Sequence, residues 1–314
     1  MHEFDVLVVG ELNIDLIFNK IGKFPETGKE VLADQMVLTL GSSSAIFASN
    51  LSAMGSKVAF AGMIGQDVFG EFVCKSLEDK KVETRFLLKS AALNTGATVV
   101  MNQGEDRAML TFPGAMTGLT VDDITIEMLS SAGHLHVSSI FLQPGLRQGI
   151  VALMKKAKNL GLTTSLDPQW DPAESWELSL EELLPYVDIF LPNMQEFLNL
   201  SHSPDLAEGI EKLTKLMNIL VVKDGSNGAH LWYQGRLVGQ PAFVNADVAD
   251  CIGAGDSFDA GFIHRFVQGK RFEKCLQFAT LMGAINTTAP GGTTAFRDPQ
   301  AICKIARDRF NQEI

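Results

Sequence analysis

The sequence predicts an α/β protein with a doubly wound, mostly parallel sheet, helices on both of its faces, and a small antiparallel β lid. Strand-like apolar runs alternate with helix-like stretches over most of the 314 residues, as expected for parallel strands joined by crossover helices. Hydrophobic residues make up 46% of the chain and charged residues 20%, which supplies a core and excludes disorder. Two segments interrupt the alternation and are typical of antiparallel ribbons.

The predicted elements are justified by periodicity and by turn residues. Phe4–Val9 is an apolar strand that ends at Gly10, and apolar residues at helical spacing precede Gly55, a typical helix-terminating residue. Asp298 followed by Pro299 predicts the start of a last helix. The elements predicted between these are strands at 58–64, 135–141, 163–166, 186–191 and 219–222, and helices at 145–160, 206–217, 253–268 and 271–286.

The lid is predicted from two segments, at about 16–40 and 95–112. In the second, the polar turn 102–107 separates two strand-like runs, and Arg107 in that turn is expected to be a solvated charge. No internal repeat and no linker between two halves is evident in the sequence. We therefore predict one domain, 1–314, with the lid inserted near its N-terminal part and able to close over a site.

Charge and cysteine usage exclude several classes of function. The 26 basic and 37 acidic residues give a formal net charge of −11, which disfavours binding to nucleic acid or to an anionic membrane surface. The four cysteines lie far apart without a C-x-x-C pair, so neither a zinc site nor a redox pair is predicted. No apolar run approaches the 18 residues of a membrane span. We expect a cytoplasmic protein.

The most informative stretch is the start of the helix predicted at 253–268. Gly253, Ala254 and Gly255 are small residues that would leave backbone N–H groups bare at a helix N-terminus, where an anion is favoured. Asp256 follows them and could accept a proton from a hydroxyl that attacks a phosphoryl group. The alternative is structural: Asp256 caps the helix, and Asp259 completes a capping box.

Competing phosphate-binding motifs are absent from the sequence. The nearest approach to a P-loop has Cys74 where the second glycine belongs, and Phe258 stands where a dinucleotide fingerprint needs its third glycine. Protein-kinase signatures are missing as well. A P-loop enzyme and a dehydrogenase are therefore disfavoured.

The segment Asp250-Cys-Ile-Gly-Ala-Gly-Asp256 resembles the C-terminal signature of the ribokinase-like (PfkB) carbohydrate kinase family, usually Asp-Thr-Thr-Gly-Ala-Gly-Asp. Four further segments resemble family motifs in the family's order, so the resemblance covers essentially the whole chain. They are 9–15, 62–70, 192–196 and 222–229. The resemblance implies a ribokinase-like fold, Asp256 as the catalytic base, and an anion hole formed by the amides of Gly253, Ala254, Gly255 and Asp256.

The resemblance also implies a sugar pocket. Asn13 and Asp15, in the turn after the first strand, would hydrogen-bond sugar hydroxyls. Where the family often has Gly-Gly-x-x-Ala-Asn, this chain has Gly41-Ser42-Ser43-Ser44-Ala45-Ile46. The loss of the asparagine leaves the identity of the sugar open. Ser42 and Ser43 either offer hydroxyls to the substrate or cap the helix.

The nucleotide side is implied in the same way. Asn193 and Glu196 would organise Mg²⁺ through water. A strand and loop would contact ATP, and Thr280 stands where the family's adenine-contacting helix has an asparagine. Asp250 and the Ile252 carbonyl would hold a monovalent cation such as K⁺. The residues implied to bind the nucleotide are Asn193, Lys223, Gly225, Ser226, Gly228, Gly253, Gly255 and Thr280.

These inferences predict an ATP-dependent kinase that phosphorylates a primary hydroxyl of a sugar or sugar-like small molecule. Mg²⁺ is the expected cofactor, and the resemblance suggests a homodimer formed through the lid. Two alternatives stay open: a nucleoside kinase of the same family, and a non-catalytic sugar- or nucleotide-binding relative. His134 and His136 alternate on a predicted strand, where packing or hydrogen bonding is expected rather than a metal pair.

Overall fold

The computed structural model of the protein describes residues 2–103 and 106–314 and all of their side chains except those of Asp106 and Arg107. The strands are β1 (Phe4–Val9), β2 (Asn13–Ile21), β3 (Ala33–Leu40), β4 (Val58–Gly65), β5 (Glu83–Ser90), β6 (Gly96–Gln103), β7 (Asp106–Phe112), β8 (Ala132–Ser138), β9 (Thr163–Asp167), β10 (Ile189–Phe190), β11 (Ile219–Lys223), β12 (Ala229–Tyr233) and β13 (Arg236–Gln240).

Helices follow most of the strands of the main sheet. The α-helices are α1 (Ser43–Ala53), α2 (Val68–Asp79), α3 (Ile126–Ser130), α4 (Pro144–Gln148), α5 (Ile150–Asn159), α6 (Leu180–Leu183), α7 (Met194–Ser201), α8 (Leu206–Leu213), α9 (Ala254–Val267), α10 (Phe272–Asn286) and α11 (Pro299–Phe310). Asp298 accepts a hydrogen bond from the Ala301 amide and so caps α11, as its sequence predicts.

In the described part of the chain, nine strands form the main sheet in the order β13-β12-β11-β10-β9-β8-β1-β4-β5. The pairs from β11 to β5 are parallel, and β12 and β13 add two antiparallel strands at one edge. Leu7 and Val9 of β1 belong to one apolar core, whereas Val6 and Val8 belong to another. Alternate side chains of a strand point to opposite faces, so both faces of the sheet are covered, as predicted.

The lid is a separate four-stranded sheet with the order β3-β2-β6-β7. Its outer pairs, β2 with β3 and β6 with β7, are antiparallel as expected. Its central pair, β2 with β6, is parallel, because the chain enters both strands from the main sheet. Gly104 and Glu105 of the predicted turn 102–107, and the side chain of Arg107, lie outside the described residues.

Five element predictions differ from the structure. The strand predicted at 135–141 is β8, which ends at Ser138 because residues 140–142 form a 3-10 turn. Asn13 and Asp15 lie on β2, not in a turn, because β2 continues into the lid. The helix predicted at 145–160 is divided into α4 and α5 at Gly149. The strand predicted at 186–191 is reduced to β10, since residues 184–186 form a 3-10 turn. The helix predicted at 206–217 ends at Leu213.

Candidate active site

The candidate site lies at the carboxyl edge of the parallel strands. Glu11 follows β1, Asp167 ends β9, Asn193 follows β10, and Lys223 ends β11. Since these strands are parallel and lie in one sheet, their carboxyl ends meet at the same edge, where ligands bind in open α/β sheets. Side chains that are far apart in the sequence therefore converge on one place.

The start of α9 presents backbone amides without a side-chain cap. Gly253 is the N-cap residue in the left-handed conformation (φ 75°), and no side chain accepts a hydrogen bond there. Gly253, Ala254 and Gly255 are half-buried and hence reachable from solvent. The alternative that Asp256 caps the helix is wrong, because Asp256 lies inside the first turn of α9.

Asp256 is nearly buried, with 8% of its surface exposed. Burial raises the pKa of its carboxyl to about 8, and the nearby charge of Asp167 acts in the same direction. Lys223 and the hydroxyl of Ser43 partly oppose the shift. A carboxyl group with a pKa near neutrality is suited to accept and release a proton at physiological pH.

Lys223 contacts two acidic side chains next to the amides. Its Nζ lies 3.0 Å from Asp167 Oδ2 and 2.7 Å from Asp259 Oδ2. Burial disfavours the charged ammonium, but the attraction of Asp167 and Asp259 outweighs it and raises the pKa of Lys223. The side chain passes beside Gly255. Lys223 is thus part of a buried ion-pair network, although the sequence pointed to it only as a nucleotide contact.

The predicted sugar residues form a second group on β2. Asn13 Nδ2 donates to Asp15 Oδ1 at 3.0 Å and to Thr98 Oγ1 at 3.0 Å. Burial raises the pKa of Asp15 to about 6. Gly41 packs directly on both side chains: a Cβ there would lie 2.3 Å from Asp15 Oδ1. Position 41 therefore requires glycine, because the side chain of any other residue would collide with Asn13 and Asp15.

The serine run joins the two groups. Gly41 contacts Asn13 and Asp15, and Ser43, two residues further on, lies close enough to Asp256 to lower its pKa. Two residues of chain span at most about 7 Å. The predicted sugar contacts and the predicted base therefore lie near one another.

Ser42 caps α1 and is held by a buried acid. Its hydroxyl accepts from the Ala45 amide at 2.9 Å and donates to the Glu11 carbonyl at 2.6 Å and to Glu11 Oε1 at 3.0 Å. Ser44 donates to Glu11 through its amide and its hydroxyl. Burial raises the pKa of Glu11. Of the two roles left open for Ser42, capping is the one observed here.

Asn193 and Glu196 form a capping box at the start of α7. The Asn193 side chain accepts from the Glu196 amide at 2.9 Å, and Glu196 Oε2 accepts from the Asn193 amide at 2.8 Å. Burial raises the pKa of Glu196 to about 7, and the charge of Asp167 adds to this shift. The backbones of Asn193 and Lys223 pair in an isolated parallel β-bridge, so the capping box adjoins the ion-pair network.

The loop between β11 and β12 contains the predicted nucleotide contacts. Gly225 (φ 53°) faces open space, and Ser226 is exposed. Gly228 has φ 103°, and a Cβ there would lie only 2.0 Å from the carbonyl oxygen of Gln240. Gly228 thus shapes the turn, whereas Gly225 and Ser226 are accessible to a ligand.

Two remaining predictions lie at the margins of the site. Thr280 is buried on α10, and its hydroxyl donates to the Leu276 carbonyl at 2.9 Å. Asp250 accepts from the amides of Ile252, at 2.9 Å, and Gly291, at 2.7 Å. Asp250 therefore ties the turn before α9 to the loop that contains Gly291.

The residues present fit Mg²⁺ only as an ion shared with phosphates. In residues 2–103 and 106–314, no three His, Cys, Asp or Glu side chains are arranged to hold a metal ion. Mg²⁺ typically keeps several waters and binds through one or two carboxylates and substrate phosphates. The buried oxygen Asp167 Oδ1 has no hydrogen-bond partner among the described residues, which leaves the network with acceptor capacity for an ordered water.

Sequence reasoning missed Glu11 as a site residue, gave no role to Asp167 and Gln169 although their segment stands where relatives often carry Asp-x-Asn-x-Arg, and considered Asp259 only as part of a cap. Gln169 Nε2 donates to Asp167 Oδ2 at 2.6 Å and to Asp256 Oδ1 at 3.0 Å. The sequence position of Glu11, Asp167 and Gln169 could have indicated them, since each stands one to three positions after a predicted strand.

Two other predictions concern structure rather than chemistry. Asp67 caps α2 and accepts from the Gly70 amide at 2.8 Å and from the Thr95 amide at 2.8 Å, so the 62–70 segment joins β4 to the lid. His134 bonds the hydroxyls of Thr163 and Ser165 at 2.8 and 2.7 Å. His136 bonds Ser165 and stacks on Phe47. The contacts of both histidines are thus hydrogen bonds and packing: His134 uses both ring nitrogens, and His136 uses Nδ1 and its stacked ring.

The fold, with uncapped amides at the start of α9 next to a buried acid at the carboxyl edge of the sheet, is that of an α/β phosphotransferase. Residues 3–299 match the pfkB family carbohydrate kinase, and the chain belongs to that family. It is 27% identical to a ribokinase from Arabidopsis thaliana over 98% of this chain and 82% of that protein. It is 26% identical to a fructokinase from Vibrio alginolyticus over 92% of this chain and 95% of that protein.

A solved structure agrees with this assignment. The structure of Arabidopsis thaliana ribokinase complexed with ribose and ATP has a TM-score of 0.84 and 25% identity, and the match covers 96% of this chain and 98% of that one. The predicted ribokinase-like fold and ATP-dependent carbohydrate kinase activity are thereby confirmed. Among the described helices, none has the length and apolarity needed to cross a bilayer.

Proposed function

We propose that this kinase transfers the γ-phosphoryl group of ATP to a primary hydroxyl of a sugar and that Asp256 is its general base. The observation that carries the proposal is the uncapped start of α9, with Asp256 beside it and Gly41–Ser43 linking both to Asn13 and Asp15. Asn13 and Asp15 bind sugar hydroxyls, and the lid sheet that contains them closes over the substrate and excludes water.

Asp256 takes the proton of the sugar hydroxyl as the hydroxyl oxygen attacks the γ-phosphorus. The new O–P bond forms while the bond from the γ-phosphorus to the bridging oxygen of ADP breaks. The amides of Gly253, Gly255 and Asp256 donate to the phosphoryl oxygens during the transfer, and the Ala254 amide, which donates to the Cys251 carbonyl at 3.3 Å, joins them when that bond opens. Positioning and fixed dipoles supply most of the acceleration in phosphoryl transfer.

Nucleotide and ions occupy the other side of the site. Gly225 and Ser226 contact the nucleotide from their exposed loop, and Thr280 borders the base. Mg²⁺ neutralises phosphate charge when bound, and the capping box of Asn193 and Glu196 orients the water around it. A monovalent cation is proposed at the Asp250 carboxylate and the Ile252 carbonyl, where Asp250 already joins the two loops.

A substrate panel tests the proposed activity. Ribose, fructose, 2-keto-3-deoxygluconate and adenosine would each be offered with Mg-ATP in a coupled assay of ADP release. Release with one of the sugars supports the proposal, and release with adenosine alone identifies a nucleoside kinase. Saturable ligand binding without ADP release on any substrate contradicts the proposal and favours a non-catalytic relative.

The role of Asp256 is tested by Asp256→Asn. We expect kcat to fall by about 10²–10⁴-fold, because the amide cannot accept the proton, with the ATP dissociation constant changed by less than about threefold, since the backbone amides remain. Asp308→Asn, on the exposed side of α11, makes the same chemical change away from the site and should keep normal turnover. Near-normal turnover of Asp256→Asn would refute the role.

A second copy of this chain is the proposed partner of the lid. Large apolar side chains of the lid region are exposed: Leu32 (80%), Met36 (62%), Val37, Leu38, Met109 (66%), Leu110 (70%) and Phe112 (55%). Both edge strands of the lid, β3 and β7, contribute to this set. By the strand register, Met36, Leu38, Leu110 and Phe112 share the face of the lid opposite to that of Asn13 and Asp15. An exposed apolar face on a sheet with open edges favours pairing with another such sheet. We therefore propose a homodimer through the lid.

The single domain and the cytoplasmic location expected from the sequence stay predictions.

A further inference from the structure

Gln169 has an unusual backbone conformation at the centre of the site. It stands two residues after β9, half-buried, with φ 60°. A non-glycine residue in the left-handed region is uncommon and costs of order 1 kcal/mol or more unless its surroundings hold it there. The cost is offset here by interactions of the Gln169 side chain.

The single amide nitrogen of Gln169 bonds two carboxylates at once. Nε2 lies 2.6 Å from Asp167 Oδ2 and 3.0 Å from Asp256 Oδ1. Asp167 Oδ2 is in turn 3.0 Å from Lys223 Nζ. An amide nitrogen carries two hydrogens, so Gln169 can donate one to each acid. The result is a continuous chain from Lys223 through Asp167 and Gln169 to Asp256.

We propose that Gln169 is a positioning residue for phosphoryl transfer, which holds one oxygen of Asp256 and leaves the other to receive the proton of the sugar hydroxyl. This inference rests on the proposed role of Asp256 as the base. Without the Gln169 amide, the Asp256 carboxylate is free to rotate about its side-chain bonds, and fewer of its orientations suit proton transfer.

The charges around Asp256 explain why a neutral donor is required. Glu11, Asp167 and Lys223 face Asp256 from the ends of β1, β9 and β11, so two acids and one base surround it. Lys223 is already shared between Asp167 and Asp259. A hydrogen-bond donor to the carboxylate favours its charged form, and Gln169 supplies one without adding a charge.

Three substitutions separate positioning from support of the loop. Gln169→Gly adopts φ near 60° without strain and removes the amide. Gln169→Asn tolerates this conformation and keeps an amide on a side chain one methylene shorter. Gln169→Glu keeps the size but replaces the donor by a carboxylate. Gln148→Glu, at the exposed end of α4, is the matched control.

The experiment measures kcat, both KM values and the pH profile of kcat/KM with the best sugar of the panel, and thermal unfolding of each variant. In Gln169→Glu we expect kcat at pH 7 to fall by at least about tenfold and the acid limb of the profile to move up by roughly one pH unit, because a third acid disfavours ionisation of Asp256. Activity should therefore recover in part at alkaline pH. In Gln169→Gly, kcat should fall while the acid limb of the pH profile moves less than in Gln169→Glu. The kcat of Gln169→Asn should lie between those of Gln169→Gly and the wild type.

The proposal is overturned if folded Gln169→Gly and Gln169→Glu keep the wild-type pH profile and kcat, or if they change only KM for ATP. If Gln169→Glu fails to fold, Gln169→Gly decides the question alone. A silent Gln169 series alongside an inactive Asp256→Asn would reject only the positioning role. Absence of ADP release from the wild-type chain would instead reject the proposed function.

Discussion

At the scale of the residue, the site depends on groups whose surroundings differ from water. Asp256 is surrounded by protein and acids, which raises its pKa to about 8, whereas Asp67, bonded by the Thr95 and Gly70 amides, has a lowered pKa although burial opposes the change. The same residue type therefore serves as a proposed base in one place and as a helix cap with a lowered pKa in another. Surroundings rather than identity decide the role.

Gly228 offers a test of backbone geometry at this scale. Gly228→Ala should destabilise the fold by about 2–4 kcal/mol, because φ is 103° and the new Cβ would meet the Gln240 carbonyl oxygen. Denaturant unfolding measures the change. Gly235→Ala has a similar positive φ (77°) but open space around it, so about 1–2 kcal/mol is expected from the conformation alone. Equal losses in the two variants would show that the contact with Gln240 does not matter.

At the scale of the element, strand β8 places two histidines in the core without a charge partner. Burial lowers the pKa of His134 to about 3 and that of His136 well below its usual value. The folded protein therefore keeps His134 neutral over a pH range in which the same histidine of the unfolded chain would be protonated. Its neutral ring is matched to the hydroxyls of β9, Thr163 and Ser165.

This arrangement makes stability depend on pH in a defined direction. Below pH 6.5 the unfolded chain binds a proton at His134 that the folded chain refuses, so stability is lost as pH falls from 6.5 towards about 3. The loss is about 1.4 kcal/mol per pH unit.

Urea unfolding of His134→Gln between pH 7 and pH 5 checks this expectation. The variant should lose about 2 kcal/mol less than the wild type over the range. His2→Gln, at an exposed position, is the control. Parallel losses in wild type and His134→Gln would contradict the assignment of a neutral buried ring.

At the scale of the whole molecule, the lid sheet has two different surfaces. The strand that begins at Asn13 enters the site, while the exposed residues Met36, Leu38, Leu110 and Phe112 lie on the opposite, outward face of the lid. If these outward residues pair with a second copy, closure of one site and the contact between copies involve the same sheet. Substrate binding and association would then be coupled.

Association is tested by sedimentation velocity of the wild type and of Leu110→Glu. The wild type should sediment as a dimer, and the charge on the lid should produce monomers with a reduced affinity for sugar. Leu237→Glu changes an exposed leucine on β13, at the edge of the main sheet, and should leave the dimer intact. A monomeric wild type, or a dimer broken only by Leu237→Glu, would reject the lid interface.

Much of the fold was predictable because its signals are local. The apolar run 4–9, the glycines at the start of α9 and the Asp298-Pro299 pair each act over a few residues, and the structure contains the elements they predict. The parallel pairing of β2 with β6 was not predictable, since residues 13 and 96 meet only after the lid has folded. Short strands such as β10 were also misjudged, because neighbouring strands rather than propensity define them.

By itself the sequence determined the family, the glycine-containing start of α9 and the acid in its first turn, because a contiguous motif carries all three. Only the tertiary structure decided the network of Lys223, Asp167, Gln169 and Asp256, whose members come from different strand ends. Hydrogen bonds and ion pairs act over a few ångströms, so residues separated by dozens of positions become partners only when the sheet brings their strand ends together.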